Sequence, residues 1–185
     1  MNENDLRLLR ETIRIALSAR EKGNHPFGSL LADKDGNILL AAENTVVTER
    51  DITGHAEMNL VREAARAFSA AELAETTLYT SCEPCPMCAG AIFWANIGRV
   101  VFALRAEKLY GIAGTGSGRF FISFADIFAH STKSIEVAGG FLETEAAEVH
   151  KLRGEIATLK SANKDLEKRA AQASAKAPSM NSNML

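Results

Sequence analysis

The sequence is poor in cysteine and contains no long hydrophobic run. Its three cysteines lie together between positions 82 and 88, a spacing that is too local for a disulfide framework and typical of a reducing compartment. No apolar stretch approaches the roughly 18 residues that a membrane-spanning helix requires. The opening residues MNENDLRLLRETI are charged, unlike an apolar secretion signal. These features argue against a disulfide-rich scaffold and a membrane protein, and we expect a cytoplasmic location.

The length and composition fit one compact domain. With 185 residues and 46% hydrophobic content, the chain is close to the size of a single domain with one core. We predict that this domain covers residues 1–150 and that residues 151–173 form a helical extension. The small and polar residues 174–185 are expected to form a disordered tail.

The net charge of −2 is unevenly distributed along the chain. Residues 151–185 contain seven Lys or Arg and three acidic residues, a balance of +4, so residues 1–150 carry −6. Neutralisation of phosphates dominates the affinity of proteins for nucleic acids. An acidic main domain therefore favours a small-molecule partner, and the basic C-terminal segment keeps nucleic acid as the second possibility.

Two short motifs contain residues that can bind a metal ion: TGHAE, with His55, and EPCPMC, with Cys85 and Cys88. Residues three apart on a helix share a face, so both cysteines can meet one ion. Pro86 suits the first turn of a helix, and a helix that begins there favours the thiolate form of both cysteines. Zinc prefers imidazole and thiolate donors, and a catalytic zinc keeps its fourth position for water. We predict one Zn²⁺ per chain, held by His55, Cys85 and Cys88.

Glu57 follows His55 by two residues. On a helix this spacing turns the two side chains apart, whereas paired helical ligands usually stand at i and i+4. We therefore predict that Glu57 is a general base and not a ligand. Zinc lowers the pKa of a bound water toward about 7, and a nearby carboxylate can take that proton and pass it to a substrate nitrogen.

A closed structural zinc site is the alternative interpretation. Cys82, Cys85 and Cys88 form a C-x-x-C-x-x-C series, so that Cys82 can supply a fourth protein ligand and make a Cys3His binding module without turnover. Pro84 and the predicted helix start place Cys82 on the strand side of a turn. A closed site also leaves Glu57 without a role, so the open catalytic site is favoured.

Four longer strings surround these motifs: HPFGSLLAD at 25–33, AAENTV at 41–46, DITGHAEMNLVREA at 51–64 and LYTSCEPCPMCAGAIFWANIGRVVFAL at 78–104. In order and separation they resemble the cytidine deaminase-like superfamily across roughly residues 5–150. The branch that they resemble holds guanine deaminases, cytosine deaminases and tRNA adenosine deaminases. Zinc-dependent deaminases share the signature H-x-E…P-C-x-x-C.

The resemblance implies a zinc-dependent hydrolase that removes an exocyclic amino group and releases ammonia. The implied substrate is a free nucleobase or a similar amino-heterocycle of the guanine, cytosine or isocytosine type. Conversion of adenosine to inosine in tRNA is the alternative. Members of the branch are usually homodimers in which a partner chain often completes the pocket, so we expect a homodimer.

Helices alternate with strands along the chain, which predicts an α/β protein whose sheet is covered by helices on both faces. The resemblance sharpens this to a three-layer α/β/α sandwich with a five-stranded mixed sheet. Asp35 and Gly36 predict a hairpin turn, and Thr53 is expected to cap the helix that carries His55. The apolar periodicities predict two buried helix faces, formed by Leu6, Leu9, Ile13 and Leu17 and by Leu60, Val61, Ala64, Ala65 and Phe68.

Several residues outside the metal motifs are candidates for substrate binding. Phe27 and Trp94 can stack on a planar base, although both can equally be core residues. The resemblance implies that the Asn44 side chain hydrogen-bonds the substrate, with a turn residue as the alternative. It also implies that the backbone N–H groups of Ala56 and Cys85 donate to the substrate and to the oxygen on zinc.

The segment 111–121 departs from relatives that act on guanine. Such enzymes usually carry an acidic pair shortly after the fourth strand, whereas this segment reads GIAGTGSGRFF and contains no acid. Asp126, further along the chain, is a candidate to substitute for that pair. The departure argues against guanine and favours an aminopyrimidine or a related amino-azine, and we expect residues 111–121 to decide the substrate.

A heptad pattern runs through the C-terminal segment. The a positions hold Val149, Ile156 and Asn163, and the d positions hold leucines. A single Asn at an a position is a known means of fixing the register of parallel dimers. One hypothesis is a short coiled coil that reinforces a homodimer. The alternative is a helix whose first turns pack on the sheet and whose remainder is solvated, since Gly154 weakens a zipper of three heptads.

Overall fold

A computed structural model describes residues 2–113 and 122–176, without the side chains of residues 113, 152–158, 160, 170 and 173–176. Most of the segment 111–121 and the tail from 177 onward lie outside the described residues. The predictions that the segment decides the substrate and that the tail is disordered therefore remain predictions.

Eight helices and five strands make up the described part of the chain. The helices are α1 (Glu3–Glu21), α2 (Val46–Glu49), α3 (Ala56–Ala67), α4 (Ala70–Ala74), α5 (Pro86–Trp94), α6 (Ala106–Ala113), α7 (Phe124–Ala129) and α8 (Glu143–Lys176). The strands are β1 (Gly28–Ala32), β2 (Ile38–Glu43), β3 (Thr77–Cys82), β4 (Arg99–Leu104) and β5 (Glu136–Gly139).

The strands form one mixed sheet in the order β2-β1-β3-β4-β5. β1 pairs antiparallel with β2 and β3, while β3, β4 and β5 run parallel. One apolar cluster packs α3, α4, α5 and α7 on one face of the sheet, and a second packs α1 and the start of α8 on the other. The predicted three-layer α/β/α sandwich with a five-stranded mixed sheet is therefore confirmed.

The predicted hairpin at Asp35 and Gly36 joins β1 to β2, with Gly36 in a left-handed conformation at φ 83°. In α3, Ala65 is exposed, contrary to the prediction, because the residues that pack on the sheet are Leu60, Val61 and Ala64.

The first helix packs unusually close to the sheet. A capping box between Asn2 and Asp5 begins α1. Its buried face holds Leu8, Leu9, Thr12, Ala16 and Ala19, so that of the predicted stripe only Leu9 is fully buried. The small residues on this face allow a close approach. A Cβ at Gly28 of β1 would lie only 2.5 Å from the carbonyl oxygen of Thr12, so glycine is required there.

The chain divides into two units, Met1–Lys151 and Leu152–Leu185. In the first unit, the opening turns of α8 bury Ala146, Val149 and His150. In the second unit every described side chain is exposed, including Leu159 and Leu166. The helix extends three residues beyond the predicted end at 173, through an alanine-rich stretch of high helix propensity. None of the described helices is both long and apolar enough to cross a membrane.

A buried ion pair fastens α1 to the sheet. Asp5, which is 1% exposed, accepts hydrogen bonds of 2.8 and 3.2 Å from the Arg99 guanidinium and one of 2.8 Å from the Tyr79 hydroxyl. Arg99 also donates to Glu136 of β5. Burial alone raises the pKa of Asp5, but the hydrogen bonds from Arg99 and Tyr79 outweigh it and hold the pKa at about 2. Ionised Asp5 therefore links three parts of the first unit.

We expect Asp5→Asn to lower the free energy of unfolding of the zinc-free chain by about 3 kcal/mol at pH 7, because it removes the buried carboxylate that Arg99 and Tyr79 donate to and leaves Arg99 paired only with the exposed Glu136. The folded-state pKa of Asp5 is depressed, so its stabilisation is present above its unfolded pKa of about 3.9 and disappears as the pH falls toward about 2. Urea unfolding at pH 7 and pH 3 measures both effects. Exposed Asp35→Asn is the control, and equal acid sensitivity of Asp5→Asn and the parent would contradict the assignment.

Candidate metal centre

The three predicted metal ligands are brought together by two helix N-termini. His55 is the N-cap residue of α3 and Cys85 is the N-cap residue of α5, and neither side chain caps its own helix. Pro86 occupies the first turn of α5, as predicted, and Cys88 follows within that turn. The two helix starts therefore aim the imidazole and both sulfurs at one point.

The donor atoms form a nearly equilateral triangle. The Nδ1 atom of His55 lies 3.7 Å from the Cys85 Sγ and 3.6 Å from the Cys88 Sγ, and the two sulfurs are 3.6 Å apart. Zinc bonds of about 2.3 Å to sulfur and 2.0 to 2.1 Å to nitrogen, at tetrahedral angles, place these atoms about 3.6 to 3.8 Å apart. The donor set therefore fits one zinc ion, with His55 binding through Nδ1.

The protonation of the cysteines also suits a metal. The hydrogen bond between the two sulfurs, together with His55, lowers the pKa of Cys85 to about 4 in spite of its burial. The pKa of Cys88 is raised, first by its contact with Cys85 and then by burial. Cys85 therefore favours the thiolate form, and a metal ion displaces the proton of a thiol that it binds, since only thiolates are its ligands.

Glu57 lies beside the donor triangle. It is 4% exposed, and its Oε2 atom is 3.6 Å from the Cys88 Sγ. The expectation that Glu57 turns away from His55 is wrong, because His55 precedes the helix and both side chains reach the same site. Burial raises the pKa of Glu57, which helps its carboxyl group to hold a proton.

Two hydroxyl groups orient Glu57, and the sequence patterns did not identify them. Thr80 Oγ1 donates to Glu57 Oε1 over 2.8 Å, and Ser29 Oγ donates to Thr80 Oγ1 over 3.1 Å. Both residues are fully buried on neighbouring strands, β3 and β1. The sequence does show polar residues within apolar strands, which is a possible sign of a functional role. It does not show that Ser29 and Thr80 meet, because that contact depends on the pairing of β1 with β3.

One prediction about a neighbouring residue is wrong, and the alternative role considered for another is not supported. Thr53 does not cap α3, because its hydroxyl and its N–H both donate to Asp51 Oδ1 and close a turn ahead of the helix. Cys82 is buried at the end of β3 and lies outside the donor group found among the described residues. Burial and the nearby Glu57 raise the pKa of Cys82 well above its ordinary value. The described geometry therefore favours the open site over the closed Cys3His arrangement.

A pocket with a volume of about 180 Å³ opens beside the metal centre. Among the described residues, its lining contains two carboxylates, Glu57 and Glu83, and neither lysine nor arginine. Its lining combines residues of the metal centre with residues of α6 and with Ile122. The lining residues are Phe27, His55, Glu57, Cys82, Glu83, Pro84, Cys85, Pro86, Ala106, Leu109, Tyr110 and Ile122.

Of the substrate-binding candidates, Phe27 and Cys85 line the pocket, whereas Asn44 and Ala56 are not among its described lining residues. Phe27 lines the pocket and packs against His150, with 5.1 Å between the ring centroids. Asn44 is 1% exposed, and its Oδ1 atom accepts from the Val46 N–H. Ala56 is the first residue of α3, so its N–H has no partner within the helix.

Trp94 and Asp126 are not among the described residues that line the pocket. Trp94 ends α5 and is 80% exposed, with its ring edge-on to Phe93. It is therefore neither a core residue nor part of the pocket wall within this chain. Asp126 accepts a hydrogen bond from Ser123 at the start of α7, so its carboxylate belongs to a helix cap instead of a base-binding site.

Comparison with known proteins adds to this geometry. The family described as the cytidine and deoxycytidylate deaminase zinc-binding region matches residues 2–104. A probable cytosine deaminase of Schizosaccharomyces pombe is 40% identical over 154 residues, which cover 82% of this chain and 93% of that protein. A guanine deaminase of Bacillus subtilis is 47% identical over 78 residues, but the match covers 42% of this chain and only 49% of the relative.

A solved structure from studies of A-to-I editing by tRNA:A34 deaminases has a similar fold. It superposes with a TM-score of 0.62 at 28% sequence identity, and the match covers 78% of this chain and 99% of the other. The similarity therefore includes most of the first unit described above.

Proposed function

The chain belongs to the cytidine and deoxycytidylate deaminase family, a family of hydrolases that act on the C–N bond of cyclic amidines, and from this premise we propose that it deaminates a free nucleobase. The proposed substrate is an amino-heterocycle of the guanine, cytosine or isocytosine type, and the products are the corresponding oxo-heterocycle and ammonia. The similarity to the probable cytosine deaminase, which extends over 93% of that protein, carries the proposal and favours an aminopyrimidine.

The pocket supports a small uncharged substrate. Its volume of about 180 Å³ is below the range of roughly 300 to 1,000 Å³ for drug-sized ligands. Its described lining carries two carboxylates and no basic residue, and residues 1–150 have a net charge of −6. An RNA substrate brings phosphates that need neutralisation, whereas a free base brings none.

His55, Cys85 and Cys88 hold the zinc ion in this proposal. When bound, zinc supplies a water molecule whose pKa is near 7 and which therefore acts as a nucleophile. Glu57 accepts the proton of that water and delivers it to a ring nitrogen. Glu57 then takes the proton of the hydroxyl group that has added to the ring and passes it to the amino group, which leaves as ammonia while the ring carbon becomes a carbonyl. The hydrogen bond from Thr80 keeps the carboxylate in position for both transfers.

Four further groups bind the base in this proposal. Phe27 supports the planar ring from one wall of the pocket. Asn44 uses its amide nitrogen, since its oxygen already accepts from Val46. The N–H groups of Ala56 and Cys85, at the starts of α3 and α5, add donors of the kind that helix N-termini provide.

The test is ammonia release by the zinc-loaded chain from a panel of amines. The panel comprises guanine, cytosine, isocytosine, adenine, their nucleosides, amino-triazines and a tRNA anticodon stem. We expect the highest kcat/KM for a free base of the pyrimidine type. Release from the tRNA stem alone would overturn the proposal in favour of tRNA adenosine deamination, which the similarity to the solved tRNA deaminase structure and the basic segment 151–185 make the second candidate.

We also propose that the chain is a homodimer reinforced by α8. Leu159 and Leu166 stand seven residues apart on the second unit, are 69% and 59% exposed, and flank Asn163. A second copy of the helix would cover both leucines and pair the asparagines. We expect truncation after Glu155 to lower the oligomer mass or weaken association in light scattering across a concentration series. An unchanged mass at every concentration would exclude the contribution of α8.

A further inference from the structure

Glu83, which lies just before the zinc ligand Cys85, connects that segment to the helices α6 and α7. It lies two residues before Cys85, and its backbone N–H donates to the carbonyl oxygen of Leu104 over 2.8 Å. Its Oε2 atom accepts from the Ala106 N–H and its Oε1 atom accepts from the Phe124 N–H, each over 2.9 Å. One carboxylate therefore fastens the first residues of both α6 and α7.

These two hydrogen bonds are stronger than hydrogen bonds between neutral groups. A carboxylate at a helix N-terminus meets unpaired N–H groups and the positive end of the helix dipole. Hydrogen bonds to an ionised group are roughly twice as strong as neutral ones. Because each carboxylate oxygen serves a different helix, the loss of one oxygen releases one helix start and leaves the other attached.

The fastened elements contribute to the lining of the same pocket as the zinc ligands. Ala106, Leu109 and Tyr110 of α6 line it, and Ile122 lies two residues before Phe124. The distance from this wall to the donor triangle fixes the space that a bound ring can occupy. Within the described part of the pocket, Glu83 is a lining residue whose side chain bonds to both ends of that wall.

We propose that Glu83 is a positioning residue for substrate specificity: it sets the spacing between the zinc ligands and the wall formed by α6 and Ile122, and so discriminates between rings of different size and pattern. This inference rests on the proposed function, because it concerns the same pocket. In this inference, Glu83 neither binds zinc nor transfers protons. Loss of the Glu83 carboxylate should therefore raise the Kd for the base and reduce the difference in Kd between bases, while zinc binding stays intact.

The test measures binding without turnover. Cytosine and guanine are titrated calorimetrically into the full-length, zinc-loaded Glu57→Gln chain, with and without Glu83→Gln. Gln keeps the size of Glu, but its amide nitrogen cannot accept a hydrogen bond, so one of the two helix starts is released. We expect the Kd of the tighter-binding base to rise about tenfold, the cost of one such hydrogen bond. The ratio of the two Kd values should approach one, and the zinc content should remain at one per chain.

Glu107→Gln is the matched control, since Glu107 lies in the same first turn of α6 and is exposed. Glu83→Asp is the second variant, because a shorter carboxylate keeps the charge and reaches only one helix. Unchanged Kd values, or an equal loss for both bases, would overturn the inference. A parent chain that binds both bases but releases no ammonia from any base in the panel with Glu57 intact would overturn the proposed function alone, and one that binds neither would overturn both.

Discussion

Glu57→Gln is expected to lower kcat for the best base about 10³-fold while the chain keeps one zinc ion. General acid–base catalysis contributes about 10² to 10⁴ in rate, and here one buried carboxyl group serves both proton transfers. Gln preserves the size of the side chain and can still accept the hydrogen bond from Thr80. The variant therefore removes the proton-carrying function without opening the site. Ammonia release and the zinc-to-protein ratio are the two measurements.

Glu63→Gln is the control for this experiment, because Glu63 is exposed on the same helix and does not line the pocket among the described residues. Its kcat should stay within about twofold of the parent, as surface substitutions usually change little. Activity of Glu57→Gln within fivefold of the parent would end the proton-transfer role. Loss of zinc from this variant would instead mean that Glu57 is a ligand.

The grouping of His55, Cys85 and Cys88 could be predicted because each of the two motifs is short and can be recognised within a few residues of sequence. Cys85 and Cys88 are one helical turn apart, and Pro86 predicts the helix start that the structure has. His55 could be added because zinc has few preferred donors. The alternation of helices and strands likewise predicted the layers of the fold, since each element must bury one apolar face.

The features that could not be predicted depend on the tertiary structure. Ser29 and Thr80 are 51 residues apart and meet only because β1 lies beside β3. The cap of α3 was misassigned to Thr53 because a capping hydroxyl is the usual signal, whereas here the cap position is occupied by His55, whose side chain is one of the three donors. Trp94 was a candidate for stacking on residue type alone, and the short α5 ends with this side chain exposed.

Cys88→Ser is expected to lower zinc affinity by more than about 10²-fold and to remove activity with it. Mutation of partners that only orient metal ligands costs about 10- to 100-fold in affinity, and loss of a thiolate ligand should cost more because a serine hydroxyl stays protonated at neutral pH. Cys88 is fully buried, and its sulfur lies 3.6 Å from both other donors. Competition with a chromophoric zinc chelator measures the affinity.

Cys82→Ser is the matched control, because it makes the same chemical change three residues earlier, at a buried cysteine outside the donor group. A buried hydroxyl in place of a thiol costs about 1 to 3 kcal/mol of stability, so thermal unfolding is followed for both variants. Zinc affinity should remain at the parent value in Cys82→Ser. If both variants lost zinc to the same extent, a Cys3His site would replace the open one, and no position would remain for the water that the proposed hydrolysis requires.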